Sequence, residues 1–223
     1  MDIILKISQE LMCRQEQVAA AVKLIDEGNT IPFIARYRKE MHGSMDDQLI
    51  REFAEKLEYL RGLDKRRDEI RSLIDAQEKL TDEINLALDK AATLSELEDI
   101  YRPYRPKRKT RASIAKEKGL EPLANDILKQ EKGFDPSKSA VDYIDEEKGV
   151  TSVEDAIQGA MDIIAELVSD NAEIRKRIRN LTNANGVLVS VATDEEKDSV
   201  YKNYYDYKEP VKKIAGHRVL ALN

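Results

Sequence analysis

The sequence predicts an all-α protein built from many helices, and three observations support this class. The 223 residues are 36% charged and 41% hydrophobic, with no Trp and three Phe, a composition typical of amphipathic helices around aliphatic cores. Apolar residues recur at helical spacing along most of the chain. Only VLVSVAT, at 187–193, alternates β-branched residues with others, so we expect at most one short strand, near 187–192.

Short helices are predicted at 3–12 and 15–27, the second ending near Gly28. Thr30 is a candidate N-cap for the next helix. Pro32 is tolerated in the first turn of that helix, because an N–H group there needs no intrahelical partner.

One long helix is predicted from Asp46 to about Lys79, or two helices joined near Gly62. The apolar positions that define it recur near 3.5-residue spacing: Phe53, Leu57, Leu60, Ile70 and Ile74.

Side-chain caps then predict three shorter helices. Thr81 caps the first, and Ser95 with Glu98 offers a capping box for the second. Thr110 caps a third that runs to Lys118. Further helices are expected at 137–147, 152–169 and 171–184, the last ending at Gly186, with EKGFDPSKS as a loop. We divide the chain into segments 1–80, 81–135 and 136–223.

TRASIAKEKGLEPLANDIL, at 110–128, predicts two short helices around Gly119. Ala115 followed by Gly119 resembles the turn of a DNA-reading helix-turn-helix. Three residues suit its buried positions: Ile114, Leu120 and Leu128. Glu121 and Asp126 would face phosphates on the reading helix, however, which favours a hairpin used for packing.

Charge is distributed unevenly along the chain. The net charge is −6, but residues 101–118 hold eight Lys or Arg against one Glu, which leaves −13 for the other 205 residues. We therefore interpret the chain as an acidic body with one basic segment. Screening acts over roughly 8 Å at physiological salt, so overall acidity does not exclude a nucleic-acid contact.

We call YRPYRPKRKTR, residues 101–111, the basic strip. Pro103 and Pro106 are expected to hold Arg102 and Arg105 in extended or polyproline II geometry, because a residue before proline avoids helical angles. Three residues make one turn of that geometry.

Tyr101 and Tyr104 would then share one edge of the strip, where bases could stack, while the cations would meet phosphates. The predicted nucleic-acid-binding residues are Tyr101, Arg102, Tyr104, Arg105, Lys107, Arg108, Lys109 and Arg111.

A structural role for part of the strip is the alternative. Its arginines could pair with Glu96, Glu98 or Asp99, which precede it, and its tyrosines could cover apolar surface. Lys107 to Arg111 is then the part expected to remain exposed.

A second basic spot follows the apolar residues Ile31, Ile34 and Ala35, and consists of Arg36, Arg38 and Lys39. It could equally form internal salt bridges.

The sequence contains none of the common catalytic motifs that would indicate an enzyme. The chain has no Gly-rich phosphate loop and no G-x-S-x-G elbow. One cysteine, Cys13, and two distant histidines, His42 and His217, do not give the usual metal-ligand spacings. We expect a non-enzyme with no metal and no cofactor. A single cysteine, with no signal-type or membrane-length apolar run, predicts the cytoplasm.

Three long segments carry a resemblance to a known family: NTIPFIARYRKEMHGSMDDQLI, LEDIYRPYRPKRKTRASIAKEKGLEPLA and YYDYKEPVKKIAGHRVLALN. They resemble the N-terminal region of the bacterial Tex family of transcription accessory proteins, up to the start of its RNase H-like (YqgF-type) domain. The resemblance implies a helical region with helix-turn-helix-like elements. It also implies an RNA-binding protein that continues into further domains, as the apolar ending at Val219, Leu220 and Leu222 suggests.

The functional hypothesis is a non-enzymatic helical scaffold and auxiliary nucleic-acid-binding module of a transcription accessory protein. The alternative is a module that docks a protein or another domain and does not touch nucleic acid. Expected partners are RNA or DNA, transcription machinery and the missing C-terminal domains of the same chain, with no membrane.

Overall fold

In the computed structural model the chain forms two compact units, residues 1–104 and 105–223. The structure describes residues 2–37, 47–106, 109–194, 196 and 199–222. Those residues contain twelve α-helices and one pair of strands, which confirms the all-α class. The division into three segments at 80 and 135 stays a prediction.

The first unit contains six helices: α1 Ile3–Glu10, α2 Gln15–Asp26, α3 Ile31–Tyr37, α4 Asp47–Asp75, α5 Asp82–Lys90 and α6 Leu94–Tyr101. Helix α4 runs unbroken through Gly62, so the one-helix prediction is correct. Its buried stripe forms a core with residues of α1, α2, α5 and α6; among the buried members are Ile7, Val18, Phe53, Leu60, Leu88 and Leu97.

Arg67 lies on the buried stripe of α4 and is only 4% exposed. Its Nε donates to the carbonyl of Leu88 at 2.9 Å and its Nη2 to that of Ala91 at 3.0 Å. Its Nη1 donates to Asp64 one turn earlier. Because the last carbonyls of a helix have no intrahelical donor, Arg67 completes the C-terminal end of α5.

Two neighbouring arginines extend this connection. Arg66 donates from Nε to Glu98 of α6 at 2.7 Å. Arg71 donates from Nε to Asn85 and from Nη2 to Asp89, both in α5 and both at 2.7 Å. Arginines of α4 therefore hold α5 and α6 in place.

The second unit contains the remaining elements: α7 Arg111–Glu117, α8 Glu121–Lys129, α9 Pro136–Ala140, α10 Val153–Asp170, α11 Ala172–Asn185, β1 Val187–Val191, β2 Asp206–Pro210 and α12 Gly216–Leu222. Helix α10 packs against α7, α8 and α9. Gly159 allows the close approach, because a Cβ there would lie 2.3 Å from Cδ1 of Leu120 and 3.3 Å from Cβ of Ala115.

The helix predicted at 137–147 is wrong beyond Ala140. Helix α9 ends at Ala140, and a 3-10 turn and a bridge between Asp145 and Val150 follow. Oδ1 of Asp145 accepts from the N–H groups of Glu147 and Lys148 at 3.1 and 3.2 Å. Such local bonds compete with helix formation.

Strand β1 confirms the predicted strand, but it has a partner that the sequence analysis did not predict. The strands β1 and β2 are antiparallel, with Val187 opposite Pro210 and Val191 opposite Asp206. The expectation of at most one strand is therefore corrected to two. The β2 sequence, DYKEP, was missed because it lacks β-branched residues and ends in proline.

A three-residue polar cluster connects β2 to α12. The Tyr207 hydroxyl donates to Glu209, and Nη1 of Arg218 donates to both Glu209 oxygens at 2.8 Å. The bonds from Tyr207 and Arg218 lower the pKa of Glu209.

Candidate nucleic-acid interface

The basic strip begins at the end of α6, and the cap that starts this helix is Thr93. Its Oγ1 accepts from the Glu96 N–H at 3.2 Å, and the Glu96 carboxylate accepts from the Ala92 N–H at 2.8 Å. The capping box predicted for Ser95 and Glu98 is not formed, because α6 begins at Leu94 and Ser95 already lies inside the helix. Glu98 accepts from Arg66.

Tyr101 lies in the core of the first unit and is 6% exposed. The guanidinium carbon of Arg66 lies 5.6 Å from the centroid of its ring, a cation–π distance. A ring buried to this extent presents no open face on which a base could stack.

The polyproline II geometry expected for the strip is wrong at Arg102. This residue has φ −52° and ψ −44°, and Arg102–Tyr104 forms a 3-10 turn that continues α6. Tyr104 is partly buried against the same core as Tyr101, and its carbonyl accepts from Nε2 of Gln77 at 2.9 Å. Burial of both tyrosines outweighs the preference of a residue before proline for extended angles.

The strip cations differ in exposure. Arg102 is half-buried and Arg105 is exposed. Lys107 and Arg108 lie outside the described residues. The side chains of Lys109 and Arg111 are 67% and 84% exposed.

Thr110 fixes the last part of the strip to the second unit. Its Oγ1 accepts from the Ser113 N–H at 3.0 Å and donates to Oε1 of Glu166 at 3.1 Å. The predicted Thr110 cap of α7 is thus confirmed.

Among the described residues, Lys109 and Arg111 each have an acidic partner at a long distance. Nζ of Lys109 lies 3.5 Å from Glu117, and Nε of Arg111 lies 3.8 Å from Asp162. Lys109 and Glu117 are both exposed, and ion pairs between exposed groups contribute about 0–1 kcal/mol. The Asp162 carboxylate is 17% exposed, but its 3.8 Å separation from Arg111 is the upper limit of an ion pair.

The second basic spot is described only at Arg36, which is exposed. Ile34 and Ala35 before it are buried, as the apolar pattern predicts. Arg38 and Lys39 lie outside the described residues.

The α7–α8 hairpin turns at Gly119, which has φ +83°. Leu120 is buried as predicted, but Ile114 and Leu128 are 36% and 42% exposed, so their predicted burial is wrong. Alanines and Leu123 fill the interface with α10 instead: Ala112, Ala115, Leu123 and Ala124 are buried there. Small side chains permit close helix packing, which the helix-turn-helix template did not anticipate.

A basic run in α11 was missed by the sequence analysis. It is RKRIR, residues 175–179, and Lys176 and Arg177 within it are exposed. No Asp or Glu occurs from 174 to 193. The interpretation of an acidic body with one basic segment is therefore corrected to two basic segments; the sequence contained this signal.

Among the described residues, no group of three or more His, Cys, Asp or Glu side chains could hold a metal ion. Within the same part of the chain, none of the helices combines the length and apolarity needed to cross a membrane.

The fold and the surface define a multi-helical, two-unit chain that carries basic segments. Two family models match it, the Tex-like protein N-terminal domain over residues 1–75 and the Tex central region-like model over residues 131–222. The chain belongs to the Tex family, as the resemblance in the sequence predicted.

Relatives match nearly the whole chain. The uncharacterised protein YdcI of Bacillus subtilis is 45% identical over 98% of this chain and 31% of its own length. The transcriptional accessory protein Tex of Neisseria gonorrhoeae is 39% identical over 100% of this chain and 29% of its own length. The human S1 RNA-binding domain-containing protein 1 is 29% identical over 92% of this chain and 21% of its own length. The chain thus spans about three tenths of the length of its bacterial relatives.

Proposed function

We propose that this chain is a non-enzymatic helical module of a transcription accessory protein, which acts as a scaffold and supplies an auxiliary nucleic-acid contact. The observation that carries the proposal is the pair of exposed cations, Lys109 and Arg111, held at the start of α7 by Thr110. The names of two relatives, one a transcriptional accessory protein and one an S1 RNA-binding domain-containing protein, support this setting. They also support a place in the cytoplasm and partners in the transcription machinery.

The proposed contact is narrower than the strip as a whole. It consists of cations that meet phosphates: Arg102, Arg105, Lys107, Arg108, Lys109 and Arg111. Tyr101 is left out because its ring is buried, and Tyr104 because it packs on the same core. Without stacking rings, the contact recognises the charge of the backbone and not the identity of the bases.

The α7–α8 hairpin is not part of the proposed contact. Glu121 and Asp126 of α8 are paired with Lys116 and Lys129, at 3.1 and 2.6 Å. These pairs neutralise the helix that would have to enter a groove. The small residues of the hairpin are also buried against α10.

The test measures binding of the chain to a labelled 20-nucleotide single-stranded RNA and to a 20-base-pair DNA duplex at 50 mM salt. Replacing Lys109 and Arg111 together by Gln removes two cations that meet phosphates, and we expect about a tenfold loss of affinity. The matched control replaces Lys132 and Lys138 by Gln, because both are exposed in the same unit and remove the same charge. Equal losses in the two variants contradict the proposal.

A docking module is the second candidate, and one observation favours it. The side chains of β1 that point away from the unit are valines, and Val189 and Val191 are 56% and 67% exposed. Exposed apolar surface of this kind often marks an interface. In this alternative, replacing Lys107, Arg108 and Lys109 by Ala in a longer family member weakens domain docking and leaves its nucleic-acid affinity unchanged.

A further inference from the structure

Helix α11 has an exposed face built from cations and amides. Its N-cap is Asn171, whose Oδ1 accepts from the Ile174 N–H at 3.0 Å. Lys176, Asn180 and Asn183 follow at positions i, i+4 and i+7, so they lie on one side of the helix, and all three are exposed. Ammonium and amide groups are both used by proteins to bind phosphate oxygens.

A second basic element packs against this helix. It is the 3-10 turn Val211–Lys213, which presents Lys212 and Lys213, both exposed. The Val211 N–H donates to the carbonyl of Gly186 at 2.9 Å, and Pro210 pairs with Val187 of β1. These backbone contacts attach the lysine-bearing turn to the end of α11.

The sequence from 174 to 193, which contains the basic run of α11 and strand β1, has no acidic residue. The nearest acidic residues in the sequence are Glu173 before the basic run and Asp194 after β1. Glu209, on the strand that pairs with β1, is already bonded by Tyr207 and Arg218. The turn that carries Lys212 and Lys213 packs against α11, so these lysines and the cations of α11 belong to one packed pair of elements.

We propose that α11 and the turn Val211–Lys213 form a second nucleic-acid contact, which binds the phosphate backbone independently of base sequence. This site goes beyond the contact proposed for the basic strip. Within the second unit, Thr110 bonds Glu166 about one turn before α10 ends at Asp170, and α11 follows directly.

An anionic membrane is the competing ligand, because α11 also exposes Ile178 and Leu181, by 58% and 62%. Helices that lie on membranes carry Trp, Phe or Leu on a broad apolar face. Helix α11 has no aromatic residue, and it packs against α10 and the 3-10 turn. The asparagines on its basic face suit phosphodiesters, which accept hydrogen bonds along a whole strand.

The test measures binding of the chain to the same labelled single-stranded RNA and DNA duplex. Fluorescence anisotropy gives the affinity at 50 and at 200 mM salt. Replacing Lys176 and Arg177 by Gln should weaken RNA binding about tenfold at 50 mM and reduce the log–log salt slope by about 1.4. Replacing Lys212 and Lys213 by Gln should also weaken RNA binding. If the Lys176 and Arg177 variant does not fold, the Lys212 and Lys213 variant tests the second contact. The control is again the Lys132 and Lys138 double replacement.

The outcomes separate this site from the basic strip. A loss confined to the α11 and turn variants supports the second contact and counts against the strip. A loss confined to the Lys109 and Arg111 variant overturns the second contact while the proposed function stands. Binding to vesicles of phosphatidylglycerol and phosphatidylcholine, without binding to RNA or DNA, also overturns it.

Discussion

Replacing Arg67 by Met tests whether buried arginine bonds hold the helices of the first unit together. The substitution keeps a long side chain of similar shape but removes three hydrogen bonds, two to the backbone carbonyls of Leu88 and Ala91 and one to Asp64. Its matched control is Arg71→Met, one turn further along α4, which also removes one charge and three hydrogen bonds.

The expected difference follows from burial. The Arg67 side chain is 5% exposed, and a buried hydrogen bond that involves a charged group contributes about 1.5–3 kcal/mol. Removing one partner of a buried pair also leaves polar groups without solvent, so we expect a loss of about 3 kcal/mol. Arg71 is 30% exposed and its carboxylate partners are 74% and 59% exposed, so its replacement should cost at most about 1 kcal/mol.

Thermal unfolding followed by circular dichroism at 222 nm gives the answer. One kcal/mol shifts the Tm of a domain of about 100 residues by roughly 4 °C or more, so Arg67→Met should lower the Tm of the first unit by more than about 10 °C. Arg71→Met should lower it by only a few degrees. Equal shifts in the two variants would refute the assignment of Arg67 as the residue that completes α5.

Two further predictions concern packing and pH. Gly159→Ala should destabilise the second unit by about 1 kcal/mol, because the clash with buried Leu120 exceeds the gain in helix propensity. Gly62→Ala, with nothing within 4 Å of the new Cβ, should instead stabilise the first unit by a similar amount. If both variants change the Tm in the same direction, this reasoning is contradicted. The folded-state pKa of Glu209 is lowered, first by the Tyr207 hydroxyl, so its stabilising contribution is present above its ordinary pKa of 4.5 and is lost as pH falls through the folded value. Glu209→Gln should therefore show a smaller drop in Tm between pH 6 and pH 3 than the unmodified chain, and identical drops argue against this cluster.

Local signals in the sequence predicted the helices well. The caps at Thr81 and Thr110 are formed as expected, since each threonine oxygen accepts from an N–H only three residues away. The box predicted at Ser95 and Glu98 is two residues late, because Thr93 caps α6 and Ser95 lies inside its first turn. Capping patterns therefore predict that a helix starts here, but two overlapping patterns, at Thr93 and at Ser95, do not identify its first residue.

Tertiary packing also explains the largest error about the basic strip. Pro103 predicts an extended Arg102, yet burial of Tyr101 keeps the chain helical through this residue. The local backbone preference before a proline does not predict which aromatic side chain will be buried in the core. Arg66 and Arg67, which lie outside the strip, hold helices of the first unit together. Pairing of the strip's own arginines with Glu96, Glu98 or Asp99 stays a prediction.

The sequence did contain a sign of the Arg67 bonds. Leu63, Arg67, Ile70 and Ile74 lie on one face of α4 at helical spacing, so the cation interrupts an otherwise apolar stripe. Spacing alone cannot identify the carbonyls of α5 as its acceptors, because they belong to another helix. The basic run of α11 was equally visible, but its place beside the Val211–Lys213 turn required the fold.

The salt dependence of nucleic-acid binding tests most directly whether this chain contacts phosphates. The measurement is the Kd of the unmodified chain for the DNA duplex at 50, 100 and 200 mM salt. If about six phosphates are neutralised, affinity should fall roughly a thousandfold across this range. An absence of binding at 50 mM, or an affinity that does not change with salt, would contradict the account.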